Sequence, residues 1–312
     1  MRASRSAVLF APLLAGLALI SGCSLSSATG STAGGKQGTI SVVGAENEYA
    51  SVIQQVGGKY VQVTAIMNNP NTDPHTFEAS PAVAREIANA SLVVVNGVGY
   101  DTWASDINNA VPSDGRKVIN VQELLDLPDS TPNPHLWYNP ATMPRVAAEI
   151  ASDLSAIQPA RAAYFKANAA AFTASLASWT QAIAKFKAAH PNTPVATTEP
   201  VADYMLQAAG ADNLTPWAFQ ADIMNGTDPS PQNVATTRDL FTQHKVKVFL
   251  YNQQVTDTLT DSFISLAHAN GIPVVGVYET MPTPGYNYQS WMTAEVNALD
   301  KAVTAGVSTE HL

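Results

Sequence analysis

His75 closes the segment Asn71-Thr-Asp-Pro-His75, and His135 stands in Pro132-Asn-Pro-His-Leu-Trp137. Glu199 and Glu279 each follow directly on an apolar run, Pro194 to Thr198 and Ile272 to Tyr278. Two carboxylates neutralise a divalent cation, and two neutral imidazoles complete a set of four nitrogen and oxygen donors. Without an ion, two carboxylates facing each other in a partly dry cleft repel, and one of them tends to take up a proton. A closed shell of four protein ligands leaves no position for an activated water. That favours carriage of an ion over catalysis, so no enzyme is expected. Singly, each residue has an ordinary explanation as a loop histidine or a solvated strand-end glutamate. The set of four is what points to a metal. His190, His244, His268 and His311 fall at helix ends or in the tail and are not expected to ligate.

The elements that must position these four alternate between strand and helix. Short β-branched runs at 39–44, 61–66, 92–95 and 117–121 predict four strands, with helices at 47–57, 81–90 and 100–109 between them. Ser80-Pro81 supplies an N-cap followed by proline at the first helical position. After a helix at 142–156, an Ala-rich stretch from Pro159 to Ala189 carries Tyr164, Phe165, Phe172, Leu176, Trp179, Ile183 and Phe186 at helical spacing. A helix of that length runs roughly 45 Å, longer than a small domain is wide. The remainder repeats the alternation, with strands at 193–198, 246–251 and 272–278 and helices at 201–209, 231–244, 257–270 and 288–305. The expected fold is α/β: two lobes, each a parallel sheet flanked by helices, joined by one long rigid helix. The expected boundaries are 39–158 for the first lobe, 159–190 for the connector and 191–312 for the second lobe. In open parallel sheets ligands gather beyond the carboxyl ends of the strands, where all four candidates lie.

Composition narrows the class. The 312 residues carry a formal charge of −9 and only 13% charged side chains. An acidic chain lacks the clustered Lys and Arg that a nucleic-acid partner requires. A single cysteine excludes a thiolate zinc site and an internal disulfide framework. That cysteine, Cys23, follows Arg2, Arg5, the apolar run Ala7 to Ile20 and Ser21-Gly22. The pattern resembles a bacterial lipobox and predicts a signal peptide over 1–22, with Cys23 as the lipidated first mature residue. An ordinary signal peptide is the alternative. Residues 23–38, rich in Ser, Gly, Thr and Ala, read as a flexible tether.

Together these segments resemble the solute-binding lipoproteins of zinc and manganese ABC importers, the adhesin-type metal receptor family. The resemblance is carried by Asp73-Pro74-His75 with Ser80-Pro81, and by Asn96-Gly97 with Trp103. It continues through His135-Leu-Trp-Tyr-Asn-Pro140, Thr198-Glu199 with Tyr204, and Asp228-Pro-Ser-Pro231. It implies metal held between two lobes, an extracytoplasmic location at the bacterial membrane through a lipid on Cys23, and delivery to an ABC importer permease. By position, His75 and His135 match the family's first two ligands. Glu199 matches a third that is His in many zinc receptors and Glu in manganese-type ones. Glu279 matches a fourth that is commonly Asp. The His-rich loop of many zinc receptors is absent, since no histidine lies between His75 and His135. The donor set suits manganese by hardness, while a tetrahedral arrangement takes zinc, so both remain expected cargoes. A monomer is expected. The competing classes are a secreted metal-dependent hydrolase, which lacks a His-Glu-x-x-His segment, and an adhesion protein with an incidental metal.

Overall fold

A computed structural model describes residues 38–312 apart from residue 72. The expected signal peptide, the tether up to residue 37 and Cys23 lie outside the described residues.

The first sheet is built from β1 (Ile40–Glu46), β2 (Val61–Met67), β3 (Leu92–Val95) and β4 (Lys117–Asn120). Its order is β2-β1-β3-β4, all parallel. The continuous apolar run Leu-Val-Val-Val of β3 is buried at every position, as a central parallel strand covered on both faces requires. Helices α1 (Asn47–Gly57), α2 (Pro81–Asn89), α3 (Thr102–Ala110) and the short α4 (Val121–Leu124) connect and follow these strands. The Ser80 hydroxyl accepts from Val83 N–H and Pro81 fills the first turn, so α2 starts where its cap dictates. Next comes α5 (Thr142–Ile157).

The second sheet comprises β5 (Thr193–Thr197), β6 (Ala211–Asn213), β7 (Val248–Asn252) and β8 (Val274–Val277), in the parallel order β6-β5-β7-β8. Around it pack α8 (Asp203–Ala208), α9 (Trp217–Met224), α10 (Pro231–Thr242), α11 (Thr258–Ala269) and α12 (Tyr288–Ala305). The strand β6 and helix α9 were not foreseen. A three-residue Ala-Asp-Asn strand carries no alternation, and α9 has only eight residues, whose apolar positions do not segregate to one face.

Between the sheets runs the connector. A 3-10 turn at Pro159–Arg161 leads into α6 (Ala162–Ser175), and α7 (Ala177–Ala189) follows. The helical path tightens at Leu176, where N–H bonds to Thr173 O and Thr180 N–H picks up Leu176 O again. The predicted single helix is therefore two, and the interruption falls at Leu176. Leu176 is 3% exposed, and Phe165, Phe172, Trp179, Ile183 and Phe186 are buried beside it, as their spacing predicts. They join one hydrophobic core with Ile53 and Val94 of the first sheet layer and Leu250 and Val277 of the second. Smaller cores under α2 and α3 and under α9, α10 and α11 complete each outer face.

Candidate metal centre

Every group that faces the centre is delivered by the carboxyl end of a strand. After β2 the chain reaches Asp73, whose Oδ1 accepts His75 N–H at 2.8 Å and opens the 3-10 turn Pro74–Thr76. After β4 comes Asn133, whose Oδ1 accepts both His135 N–H at 3.0 Å and the His135 ring Nδ1 at 2.7 Å. Asn133 Nδ2 donates to Pro200 O at 2.7 Å, so its oxygen is the end that faces the imidazole. Nδ1 therefore carries the proton, and the Nε2 lone pair of His135 is turned towards Glu279. Glu279 follows β8 and Glu199 follows β5.

At the meeting point, Glu279 Oε2 lies 3.0 Å from His135 Nε2 and 3.1 Å from His75 Nε2. These three donor atoms lie within 4.8 Å of one another and form the one such group among the described residues. A nitrogen lone pair and a carboxylate oxygen held face to face at this distance call for a proton or a cation between them. Glu199, the fourth expected ligand, falls outside this group and is linked to it by an amide: Asn252 Nδ2 donates to Glu199 Oε1 at 3.0 Å and to Glu279 Oε1 at 2.7 Å. The other oxygen of Glu199, Oε2, is buried with no hydrogen-bond partner, a costly state for a polar atom unless something binds it. His135 and Glu279 are fully buried, whereas the His75 side chain is 24% exposed and forms the open side of the centre.

Electrostatics divides the four groups. Burial pulls the His75 imidazole down, but the Glu279 charge and hydrogen bond outweigh it and push its pKa up to about 9. Burial keeps His135 below the ordinary imidazole value, hence neutral. Burial would raise Glu279, yet the charge of His75 and the hydrogen bond from its Nε2 hold it far below the usual carboxylate range. Burial, then repulsion by Glu279, raises Glu199 well above that range and favours its acid form. His75 and Glu279 thus form an ion pair beside a Glu199 whose pKa is raised.

Residues not foreseen complete the walls. The Asp101 carboxylate accepts Asn96 N–H at 2.6 Å and Gly97 N–H at 2.9 Å. Those bonds keep Tyr100 and Asp101 out of α3, where the sequence pattern had placed them. Gly97 has a φ of +79°, and a Cβ there would meet Asn120 Oδ1 at 2.5 Å, so the loop needs glycine. The loop aims Tyr100 at the centre, and its hydroxyl donates to Glu279 Oε2 at 3.0 Å. Gln254 Oε1 accepts the backbone N–H of Glu279 at 2.6 Å and of Thr280 at 2.7 Å, fixing the chain that carries Glu279. The rings of Tyr100 and Trp137 stand edge-on to His135 at 5.9 and 5.4 Å. Strand-end position, which singled out the glutamates, also marks Asn252.

Two parallel sheets whose strand ends present opposed donor side chains define a two-lobed binding protein with its site between the lobes. The chain matches the family described as zinc-uptake complex component A, periplasmic (ZnuA), over residues 42–302, and it belongs to that family. The manganese-binding lipoprotein MntA of Bacillus subtilis (strain 168) is 23% identical over 133 residues, 41% of this chain. The match spans 43% of that relative's length. Among solved structures, the periplasmic zinc binding protein TroA from Treponema pallidum superposes with a TM-score of 0.71 at 17% identity, covering 86% of this chain and 99% of that one. The SBP FpvC from Pseudomonas aeruginosa, in complex with Mn2+, gives 0.70 at 20% identity, with 86% and 99% covered. These superpositions establish the shared fold. Among the described residues, no helix is long and apolar enough to cross a membrane.

Proposed function

We propose that the chain is an extracytoplasmic receptor that captures a divalent transition metal, zinc or manganese, and hands it to an ABC importer permease. The ion is cargo, held by His75 Nε2, His135 Nε2, Glu279 Oε2 and Glu199 Oε2. The observation that carries this reading is the approach of both imidazole nitrogens to one glutamate oxygen, at 3.0 and 3.1 Å. The buried Glu199 Oε2, which lacks a hydrogen-bond partner and belongs to a side chain that shares Asn252 with Glu279, supports a fourth ligand. Membership of a zinc-uptake family and partial likeness to a manganese-binding lipoprotein support both candidate ions. All four ligands belong to the protein, so binding needs no reactive water, in keeping with carriage rather than catalysis. A lipid on Cys23 would keep the receptor, a monomer, at the outer side of the membrane, near its permease.

Metal analysis and calorimetry on the purified mature chain test the reading. One zinc or manganese ion per chain, lost when His75 and His135 are both changed to Ala, is the expected result. Unchanged binding in that double variant overturns it.

A further inference from the structure

Asn252 ends β7 between the two glutamates and is fully buried. Its orientation is set from the other side, where Oδ1 accepts Gln254 N–H at 3.0 Å. The backbone N–H of Asn252 donates to Thr198 Oγ1 at 3.0 Å, which fixes the strand end itself. The amide NH2 therefore has to face the glutamates, and it has one hydrogen for each. One goes to Glu199 Oε1 at 3.0 Å and the other to Glu279 Oε1 at 2.7 Å.

The consequence lies in what is left over. Each carboxylate has one oxygen engaged by Asn252 and one left free of it. For Glu279 that second oxygen is the one both imidazoles approach. For Glu199 it is the buried Oε2 without a partner. A carboxylate that chelates an ion with both oxygens must swing its Oε1 away from the amide, and Asn252 opposes this in both residues at once. We infer that Asn252 holds Glu199 and Glu279 monodentate and thereby makes the centre a four-donor, zinc-type site that discriminates against manganese. Zinc accepts four nitrogen and oxygen donors in a tetrahedron, whereas manganese favours an oxygen-rich, near-octahedral shell. The inference rests on the receptor reading above. Within it, Asn252 is a positioning residue that touches no ion and decides which one fits.

X-ray absorption on the purified protein loaded with zinc or with manganese reads the shell directly, and competition titrations give the ratio of the two affinities. The wild-type zinc shell is expected to contain four light donors. In Asn252→Leu, similar in size but without a donor, the manganese shell gains carboxylate oxygens and the zinc-to-manganese affinity ratio falls at least tenfold. Asn252→Ser, which can donate a single hydrogen bond, is expected to fall between the two. A wild-type zinc shell of five or six donors overturns the inference, even if neither variant folds. An unchanged ratio with unchanged shells in Asn252→Leu overturns it as well. In both cases the receptor reading survives if wild-type zinc binding is lost in His75→Ala. Failure of the wild-type protein to bind either ion overturns the receptor reading and this inference with it.

Discussion

The Tyr138 hydroxyl donates to Tyr278 O at 2.8 Å, and so ties the chain three residues after His135 to the residue directly before Glu279. His135 and Glu279 come from different sheets, so their 3.0 Å separation depends on such cross-links. Asn47 and Met281 make another, through Asn47 Nδ2 to Met281 O and Met281 N–H to Asn47 Oδ1, both 2.9 Å. In Tyr138→Phe the Tyr278 carbonyl loses its donor, and the nearby Glu295 Oε1, 3.2 Å from the hydroxyl, loses a neighbour. Leaving buried acceptors short of a partner costs about 1–3 kcal/mol. Urea unfolding of the metal-free variant should show that loss. Calorimetry should show weaker metal binding with unchanged stoichiometry. Full affinity in a destabilised variant would mean that the link serves folding alone.

Metal binding should release protons, and the sign follows from the metal-free charges. His75 with a pKa of about 9 is protonated at neutral pH, and only its neutral form can ligate. Each unit of pH below about 9 therefore lowers the logarithm of the affinity by about one. An unperturbed imidazole would bring this onset down to about 6.5. The neighbouring charge of Glu279 moves it upwards. The raised Glu199 adds a second displaced proton wherever its acid form persists, which steepens the slope. Calorimetry in two buffers of different ionisation enthalpy counts the protons. A count near zero at pH 7 contradicts the ion pair.

Glu199 and Glu279 should respond unequally when neutralised. Burial and the Glu279 charge push the Glu199 pKa up, so Glu199→Gln, which keeps the hydrogen bond from Asn252, should cost less stability than Glu279→Gln. Glu279→Gln removes the charge that keeps His75 protonated, so the ion pair and the stability it contributes below about pH 9 are lost and the melting temperature should clearly fall. Both changes should weaken metal binding by more than the roughly 10–100-fold that follows loss of an outer partner. Thermal unfolding with and without metal separates the two effects.

Much of this was legible in the sequence because burial writes itself into apolar runs. The strand Leu92–Val95 and the helix Tyr288–Ala305 have the bounds their patterns predict. The metal candidates could be read as imidazoles and carboxylates placed after strands. Tyr100 could not, because its position depends on Asp101 taking two backbone N–H groups, a contact that periodicity does not encode. Asn252 escaped notice because an amide carries no charge to suggest a ligand, although it ends its strand just where the glutamates follow theirs. The interruption at Leu176 leaves the apolar spacing intact on both sides, so nothing in the pattern marks it.

That same connector yields a stability prediction. Trp179 is fully buried in α7 and stands edge-on to Tyr288 of α12 at 5.9 Å. Trp179→Ala removes a large side chain from the core shared by both sheets and should cost about 3–5 kcal/mol. Its ring contact is with Tyr288, and no hydrogen bond, ion pair or ring contact links it to the four proposed ligands. Metal stoichiometry in the fraction that remains folded should therefore stay at one, as mass spectrometry under native conditions can check.

Asn133 offers a sharper test of how the centre is prepared for an ion. Its oxygen takes the Nδ1 proton of His135 at 2.7 Å, which leaves Nε2 free of a proton and aimed at Glu279. Outer partners of this kind set the tautomer of a metal-bound histidine and raise its basicity. Asn133→Leu removes the acceptor, so the imidazole can place its proton on Nε2 and donate to Glu279 instead. Metal must then displace that proton, and affinity should fall by roughly 10–100-fold. Asn133→Asp keeps an acceptor at the same place and should retain most of the affinity. Nitrogen-15 shifts of the metal-free imidazole report the tautomer independently of binding. If Nδ1 proves unprotonated in the wild-type protein, the ordering assigned to Asn133 is wrong, even where affinity changes as expected.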